Sequence, residues 1–188
     1  MSAPALTDSL CAAIEHNQAV IDLGVLLGST ALTVWLADGQ NHPGQASFRG
    51  QFDRVAEGLK AIHDHLPADW KMFTEHKPYE PAFYSSVNAD WGSSLLLSQA
   101  AGPKSSCLVD LGHHAPNVNI EMIVSRLIQF KKLGGFHFND PKYGDDDRDA
   151  GSNDPYRLFL VFHEPVDAAL LCPEGFATAH FLAQHTPP

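Results

Sequence analysis

The chain reads as an α/β fold of parallel βα units, and three observations point there. Short apolar runs of strand length alternate with amphipathic segments of helix length along most of its course. Side chains able to hold a metal stand where the apolar runs stop: Glu75 after one, Asp110 after the next, His137 after the one beyond. Glycine and proline punctuate the joins, as at Asp38-Gly39, Pro67 and Gly102-Pro103. In a barrel of such units the chemistry gathers at the C-terminal ends of the strands.

The elements follow in order. Thr7 to about Leu27 is expected to be a helix, capped by Thr7 or Asp8, with Leu10, Ile14, Ile21 and Val25 near one face and Gly28 as its stop. Ala31 to Leu36 is a buried strand. Ser47 caps the next helix, where Phe48, Phe52, Val55, Leu59, Ile62 and Leu66 recur at helical spacing until Pro67 closes it. Trp70 to Glu75 is the second strand. A helix from about Asp90 to Ala101 turns Leu95, Leu96 and Leu97 inward, and Cys107 to Leu111 is the third strand. Asn119 caps a helix that buries Ile120, Ile123, Val124, Leu127 and Ile128, with Gly134 expected as its C-terminal stop. Phe136 to Phe138 is the fourth strand. Asp154-Pro155 opens a further helix in the favoured way, and Ala179 to Leu182 is a weak fifth strand. A closed barrel needs eight strands and about 250 residues. Four or five units therefore make either a smaller open sheet or an arc of a barrel with both ends missing.

Composition narrows the function. With 12 basic against 22 acidic residues the net charge is −10, which argues against a nucleic-acid-binding face. Cys11, Cys107 and Cys172 are odd in number and far apart, so they support neither a disulfide framework nor a thiolate zinc site. Met1 to Asp8 lacks the basic and apolar regions of a signal peptide, and no uninterrupted apolar run approaches a membrane span. The expectation is a cytoplasmic protein without a membrane partner.

The candidate chemistry is a carboxylate–imidazole cluster binding one or two divalent metals. Glu75, Asp110 and His137 end successive strands, so a parallel sheet sets them side by side at one rim. Asp110 and His113 offer an oxygen and a nitrogen across a short turn, and Asp145 and Asp147 send two carboxylates the same way from an extended loop. Oxygen-rich sets with one or two imidazoles suit manganese, magnesium or cobalt.

The stretches TVWLADGQNHPGQ, MFTEHKPYEPAFY, CLVDLGHHAPNVNIEMIVSRLIQFKKLGGFHFND and KYGDDDRDAGSNDPYRLFLVF resemble the L-rhamnose isomerase family, whose bacterial branch also acts on other aldoses. The resemblance runs from about Thr33 to Asp167. It implies a single partial TIM-barrel domain over residues 1–188, carrying four to five of the eight βα units and truncated at both ends. It implies two divalent metal ions, Mn2+ first, with Co2+, Mg2+ or Zn2+ as alternatives. One site falls on Glu75, Asp110 and His137, the other on His113, Asp145 and Asp147. Trp35 and Lys77 match positions that line the sugar site. The implied reaction interconverts L-rhamnose and L-rhamnulose by a metal-assisted C1–C2 hydride shift, with Lys77, His113, Asp145 and Asp147 as the catalytic set and an enediol route as the older alternative. The family's homotetramer is the implied assembly. Where the family has a fourth ligand of the first site, this chain has Ala183, and the tail His185-Thr186-Pro187-Pro188 leaves the pattern. A metal-dependent phosphodiester-cleaving endonuclease on the same scaffold is the competing reading, and a non-catalytic metal-binding remnant the duller one.

Other polar residues read as ordinary. His16, His63, His65 and His114 are expected as surface or packing histidines, Asp146 and Asp149 as solvated. Asp140 is either a partner behind His137 or a loop cap.

Overall fold

The computed structural model of the chain describes residues 4–36, 38–79, 85–142, 147–171 and 180–182. Five parallel strands form one sheet in chain order: β1 (Ala31–Trp35), β2 (Lys71–Glu75), β3 (Ser105–Asp110), β4 (Leu133–His137) and β5 (His180–Leu182). Helices α1 (Pro4–Leu27), α2 (Phe48–His65), α3 (Trp91–Ala101), α4 (Ile120–Gln129), α5 (Ala150–Asn153) and α6 (Pro155–Leu171) lead into and connect them. Each strand pairs with the one before it after a helical crossover, which is the arrangement of an arc of a (β/α) barrel.

Strand alternation decides which side chains face the helices. Thr74 Oγ1 meets Ser94 Oγ of α3 at 2.9 Å, so Met72 and Thr74 point outward and Phe73 and Glu75 point to the concave face. Two apolar clusters lie between sheet and helices. Ile21, Val34, Leu59, Ile62 and Met72 join α1 and α2 to the β1–β2 side; Val109, Ile123, Leu127, Phe136 and Val161 join α4 and α6 to the β3–β4 side. Full burial of one such side chain stabilises by about 2 kcal/mol, so these clusters fix the sheet against the helices.

The caps form as their chemistry requires. Ser47 Oγ accepts from Gly50 N at 3.1 Å, and Asn119 Oδ1 accepts from Met122 N at 2.7 Å. Leu66, the residue before Pro67, is extended at φ −61°, ψ 140° and ends α2 one residue earlier. Two lysines fasten the opposite, N-terminal edge of the sheet. Lys104, just before β3, donates to Leu66 O at 2.7 Å. Lys132, just before β4, donates to Ser105 O at 2.7 Å, Gly102 O at 3.1 Å and Ser98 O at 3.3 Å. Each reaches the open carbonyls at the end of a preceding helix.

Several expectations are corrected. α1 begins at Pro4, where proline's fixed φ suits a first helical turn, rather than at a Thr7 or Asp8 cap. Its packed stripe runs through Leu10, Ile14 and Ile21, whereas Val25, one turn further along the same line, is exposed. Leu96 is 58% exposed while Leu95 and Leu97 are buried, since three consecutive residues cannot share one helix face. Gly134 does not stop α4. Lys131, at φ 55°, makes that turn, with Lys132 N bonded to Leu127 O at 2.8 Å, and Gly134 lies inside β4. A Cβ on Gly134 would come within 2.5 Å of Phe73 Cδ1, so glycine is there for close packing. β4 accordingly starts and ends earlier than expected. His63 is buried, and its Nε2 accepts from Lys104 N at 3.2 Å.

One correction concerns length and polarity. Asp8–Leu27 of α1 is long and apolar enough, by length and composition alone, to cross a membrane. The sequence contains no uninterrupted apolar run there because Glu15, His16, Asn17 and Asp22 break it. Asp22 Oδ1 meets His65 Nε2 of α2 at 2.9 Å and Ile21 is buried, so α1 lies docked along α2.

Candidate metal centre at the strand ends

The C-terminal ends of β2, β3 and β4 bring four of the expected residues together. Glu75, Asp110 and His113 are buried, with one ligand atom of each lying within 4.8 Å of the others. His137 Nδ1 stands 3.1 Å from Glu75 Oε1 and 3.4 Å from Asp110 Oδ2. Register accounts for this: Trp35 pairs with Glu75, and Asp110 pairs with His137, so their side chains leave neighbouring strands on one face. The next turn then folds His113 back over the group, with its N–H bonded to Asp110 O at 3.2 Å.

The tautomer of His113 follows from its partners. A carbonyl oxygen only accepts, so His113 Nδ1 donates to His76 O at 3.0 Å. That same nitrogen is 3.3 Å from Glu75 Oε1, and Nε2 is left facing Asp110 Oδ2 at 3.8 Å. A backbone carbonyl behind one ring nitrogen is the usual support of a histidine that ligates through the other.

Two buried carboxylates face each other here, and positive charge must compensate them. Burial alone would raise the Glu75 carboxyl, but hydrogen bonds from His113 and His137 outweigh it and hold the group at about 2. Burial likewise works against a charged His137, yet bonds to Asp110 and Glu75 push it up to about 9. A proton on His137 thus does electrostatically what a divalent cation among the same atoms would do. Two carboxylates with imidazole nitrogens, all turned into one buried space, fit a hard or borderline divalent ion.

The remaining expected residues that the structure describes, Trp35, Lys77 and Asp147, fall outside the cluster. Lys77 is buried, with Nζ 5.4 Å from the Trp35 ring, which is itself 40% exposed at the rim. Asp145, like Ala183 and the tail from His185 to Pro188, lies outside the described residues. Asp147 is exposed, at φ 45°, and is not in the buried group. His113, expected to sit with these two aspartates, stands against Glu75 and Asp110. Asp140 takes the loop role: its Oδ1 accepts from Lys142 N at 2.9 Å, and its backbone pairs with Arg148. Asp149 accepts from Gly151 N at 2.8 Å and so caps α5 while remaining exposed.

Two residues of the site were missed by sequence reasoning. His76 is 1% exposed, stacks edge-on to His114 at 4.7 Å, and neither ring nitrogen has a hydrogen-bond partner among the described residues. Burial pushes its imidazole down to about 3 and that of His114 to about 4, so both are neutral. Asn139 donates to Asp110 Oδ1 at 2.7 Å. Its signal was present, because it follows His137 by two and alternation places both on one face.

Fold and site together define the arc of a parallel βα barrel with, at the strand ends, a cluster of carboxylates and imidazoles that could hold a cation. No family model matches the chain. It is 66% identical over 172 residues to a curated protein of Mesorhizobium japonicum named as a probable sugar isomerase, and 64% identical to another so named from Rhizobium meliloti (strain 1021). In both cases 92% of this chain is matched, and it spans 40% of the relative's length. Among solved structures, a protein of Sinorhizobium meliloti 1021 superposes with a TM-score of 0.59 at 21% identity, covering 74% of this chain and 50% of that one. An AP endonuclease, family 2, from Brucella melitensis also gives 0.59, at 11% identity over 80% of this chain and 57% of its own. Likeness at these identities is likeness of fold.

Proposed function

We propose that the chain carries the metal centre of a cation-dependent sugar isomerase, interconverting an aldose and its ketose, with L-rhamnose and L-rhamnulose as the first substrate pair to test. The observation that carries this reading is the buried group of Glu75, Asp110 and His113, with the half-buried His137 beside it, at the strand C-terminal ends. The chain's 64–66% identity to parts of two proteins named as probable sugar isomerases directs it to sugars. The endonuclease reading has only the shared fold behind it, and the net charge of −10 disfavours a phosphate backbone as ligand.

Each side chain then has a definite task. Glu75 and Asp110 supply the negative charge that holds a divalent ion, Mn2+ by preference, and His113 Nε2 and His137 Nδ1 supply nitrogen donors. Asp147 and Asp145 are proposed for a second ion. The cation, when bound, supplies Lewis acidity toward the sugar oxygens during C1–C2 carbonyl transfer. Trp35 offers an apolar wall against the sugar's C–H face. Lys77, held over that ring, presents a fixed cation to a sugar oxygen. The neutral pair His76 and His114 keeps the back of the site free of competing charge.

The test is to incubate the purified chain with Mn2+ and L-rhamnose and assay ketose, while measuring Mn2+ uptake independently. Mn2+-dependent ketose formation is the expected result. Absence of Mn2+ uptake would remove the basis of the reading. Uptake without conversion of L-rhamnose or any other aldose would confine the chain to cation binding.

A further inference from the structure

The two oxygens of Asp110 are held differently: Oδ1 by donors behind the cluster, Oδ2 by the cluster's own imidazoles. Oδ1 accepts from Gly112 N at 2.8 Å and from Asn139 Nδ2 at 2.7 Å, whereas Oδ2 faces His137 Nδ1 at 3.4 Å and His113 Nε2 at 3.8 Å. Asn139 is 4% exposed, and a Cβ on Gly112 would come within 2.3 Å of its Oδ1, so the amide lies directly over the glycine. We propose that Asn139 selects the cation: by occupying Oδ1 with Gly112 N, it forces Asp110 to act as a one-oxygen ligand through Oδ2.

This deepens the reading of the cluster as a divalent-cation site and rests on it. The chemistry discriminates between ion classes. Ca2+ gathers about six to eight oxygens and readily takes both oxygens of a carboxylate, whereas Mg2+ demands a near-octahedral set at about 2.0–2.1 Å. A carboxylate with one oxygen already engaged fits the smaller six-coordinate ions and handicaps Ca2+. Asn139 touches neither ion nor sugar in this scheme; it acts through Asp110 and is a positioning residue. Residues 137 and 139 leave the same face of the chain, so one short segment supplies both a nitrogen donor and the clamp on its neighbour.

The experiment titrates Mn2+ and Ca2+ separately into the 188-residue chain and into Asn139→Ala and Gly112→Ala. Gly112→Ala keeps the amide but displaces it. Both variants should lose Mn2+ affinity about tenfold or more, the range for partners behind a metal ligand. Ca2+ affinity should hold or rise, so the ratio of the two collapses. A purely structural defect would weaken both ions alike, and equal losses or an unchanged Mn2+ affinity would overturn the proposal. A measurement on the unaltered chain needs no variant: with Mg2+ bound, one Asn139 Nδ2 proton should be protected from solvent exchange in NMR, and exchange of both at the free-amide rate counts against it. If the unaltered chain takes up neither Mn2+ nor Mg2+, the reading of the cluster fails. If it binds and the variants keep its ion preference, only the role of Asn139 fails.

Discussion

The two edges of the sheet both bury charge, and they handle it in opposite ways. At the N-terminal edge, Lys104 and Lys132 place ammonium groups on backbone carbonyls at the ends of α2 and α3, with Ser105 O added for Lys132. Every acceptor there is fixed by the fold, and the cation is part of the chain. At the C-terminal edge, Glu75 and Asp110 turn two carboxylates toward each other, and their compensation is a proton on His137. A titrating proton can be exchanged for another cation, whereas a lysine cannot. One edge is closed electrostatically, the other is open to a ligand, in line with the division of labour between the two faces of βα barrels.

The strongest way to break this contrast is Asp110→Ala. Removing a ligand should cost more than the roughly 100-fold upper range for partners behind a ligand, so Mn2+ affinity measured by calorimetry should fall beyond that. The metal-free chain should still fold, because one of two mutually repelling carboxylates has gone. A variant that unfolds yet retains Mn2+ affinity in its folded fraction would make the two edges alike. The next effect is a pH profile of the chain in chelator. Glu75 is depressed from 4.5 to about 2, so its contribution is present above pH 4.5 and is lost as pH falls through about 2. His137 is raised from 6.5 to about 9, so its contribution is full below pH 6.5 and is lost as pH rises through about 9. His76 and His114, held neutral by burial down to about 3 and about 4, cost stability as pH falls below 6.5, so thermal stability should peak near about pH 6.5. Saturating Mn2+ should flatten the alkaline limb, and a profile indifferent to Mn2+ would sink the idea that proton and ion share one place.

How far the sequence announced this differs between the same two edges. Glu75, Asp110 and His137 were legible because each ends an apolar run, and a parallel sheet in chain order aligns run ends whatever else it does. Helix α2 was legible from its spacing, and its cap from Ser47. Lys104 and Lys132 were invisible, since a lysine before a strand reads as solvated and nothing local reveals carbonyls arriving from a helix about 30 residues earlier. Gly134 misled for a related reason: a glycine after a helix suggests a stop, but here a distant Phe73 demands the missing Cβ. His76 gave no signal of its own, standing just past the strand end between Glu75 and Lys77, each already a candidate. The partition of ligands into two sites rested on resemblance, and the fold shows why residues alone give less: His113 reaches Glu75 across strands rather than along the chain.

Lys132→Met sharpens the contrast from the other side and carries the smallest of these effects. Methionine keeps most of the aliphatic stem, so packing along it survives while the charge goes. Three carbonyls then lose a charged donor, at Ser98, Gly102 and Ser105. Bonds to charged groups contribute about 1.5–3 kcal/mol net, and Ser98 O and Gly102 O keep backbone donors, Gly102 N at 3.3 Å and Ser105 N at 3.2 Å, so the loss should be about 2 kcal/mol. For a chain of this size each kcal/mol lowers the melting temperature by about 2–4 °C, which makes a drop of roughly 4–8 °C by calorimetry the expected reading. Mn2+ affinity should be unchanged, because the lysine stands at the edge remote from Glu75 and Asp110 and contributes only through the fold. A fall in Mn2+ affinity of the folded protein would mean that the two edges are coupled through the strands, and the separation argued between a closed edge and an open one would have to be given up.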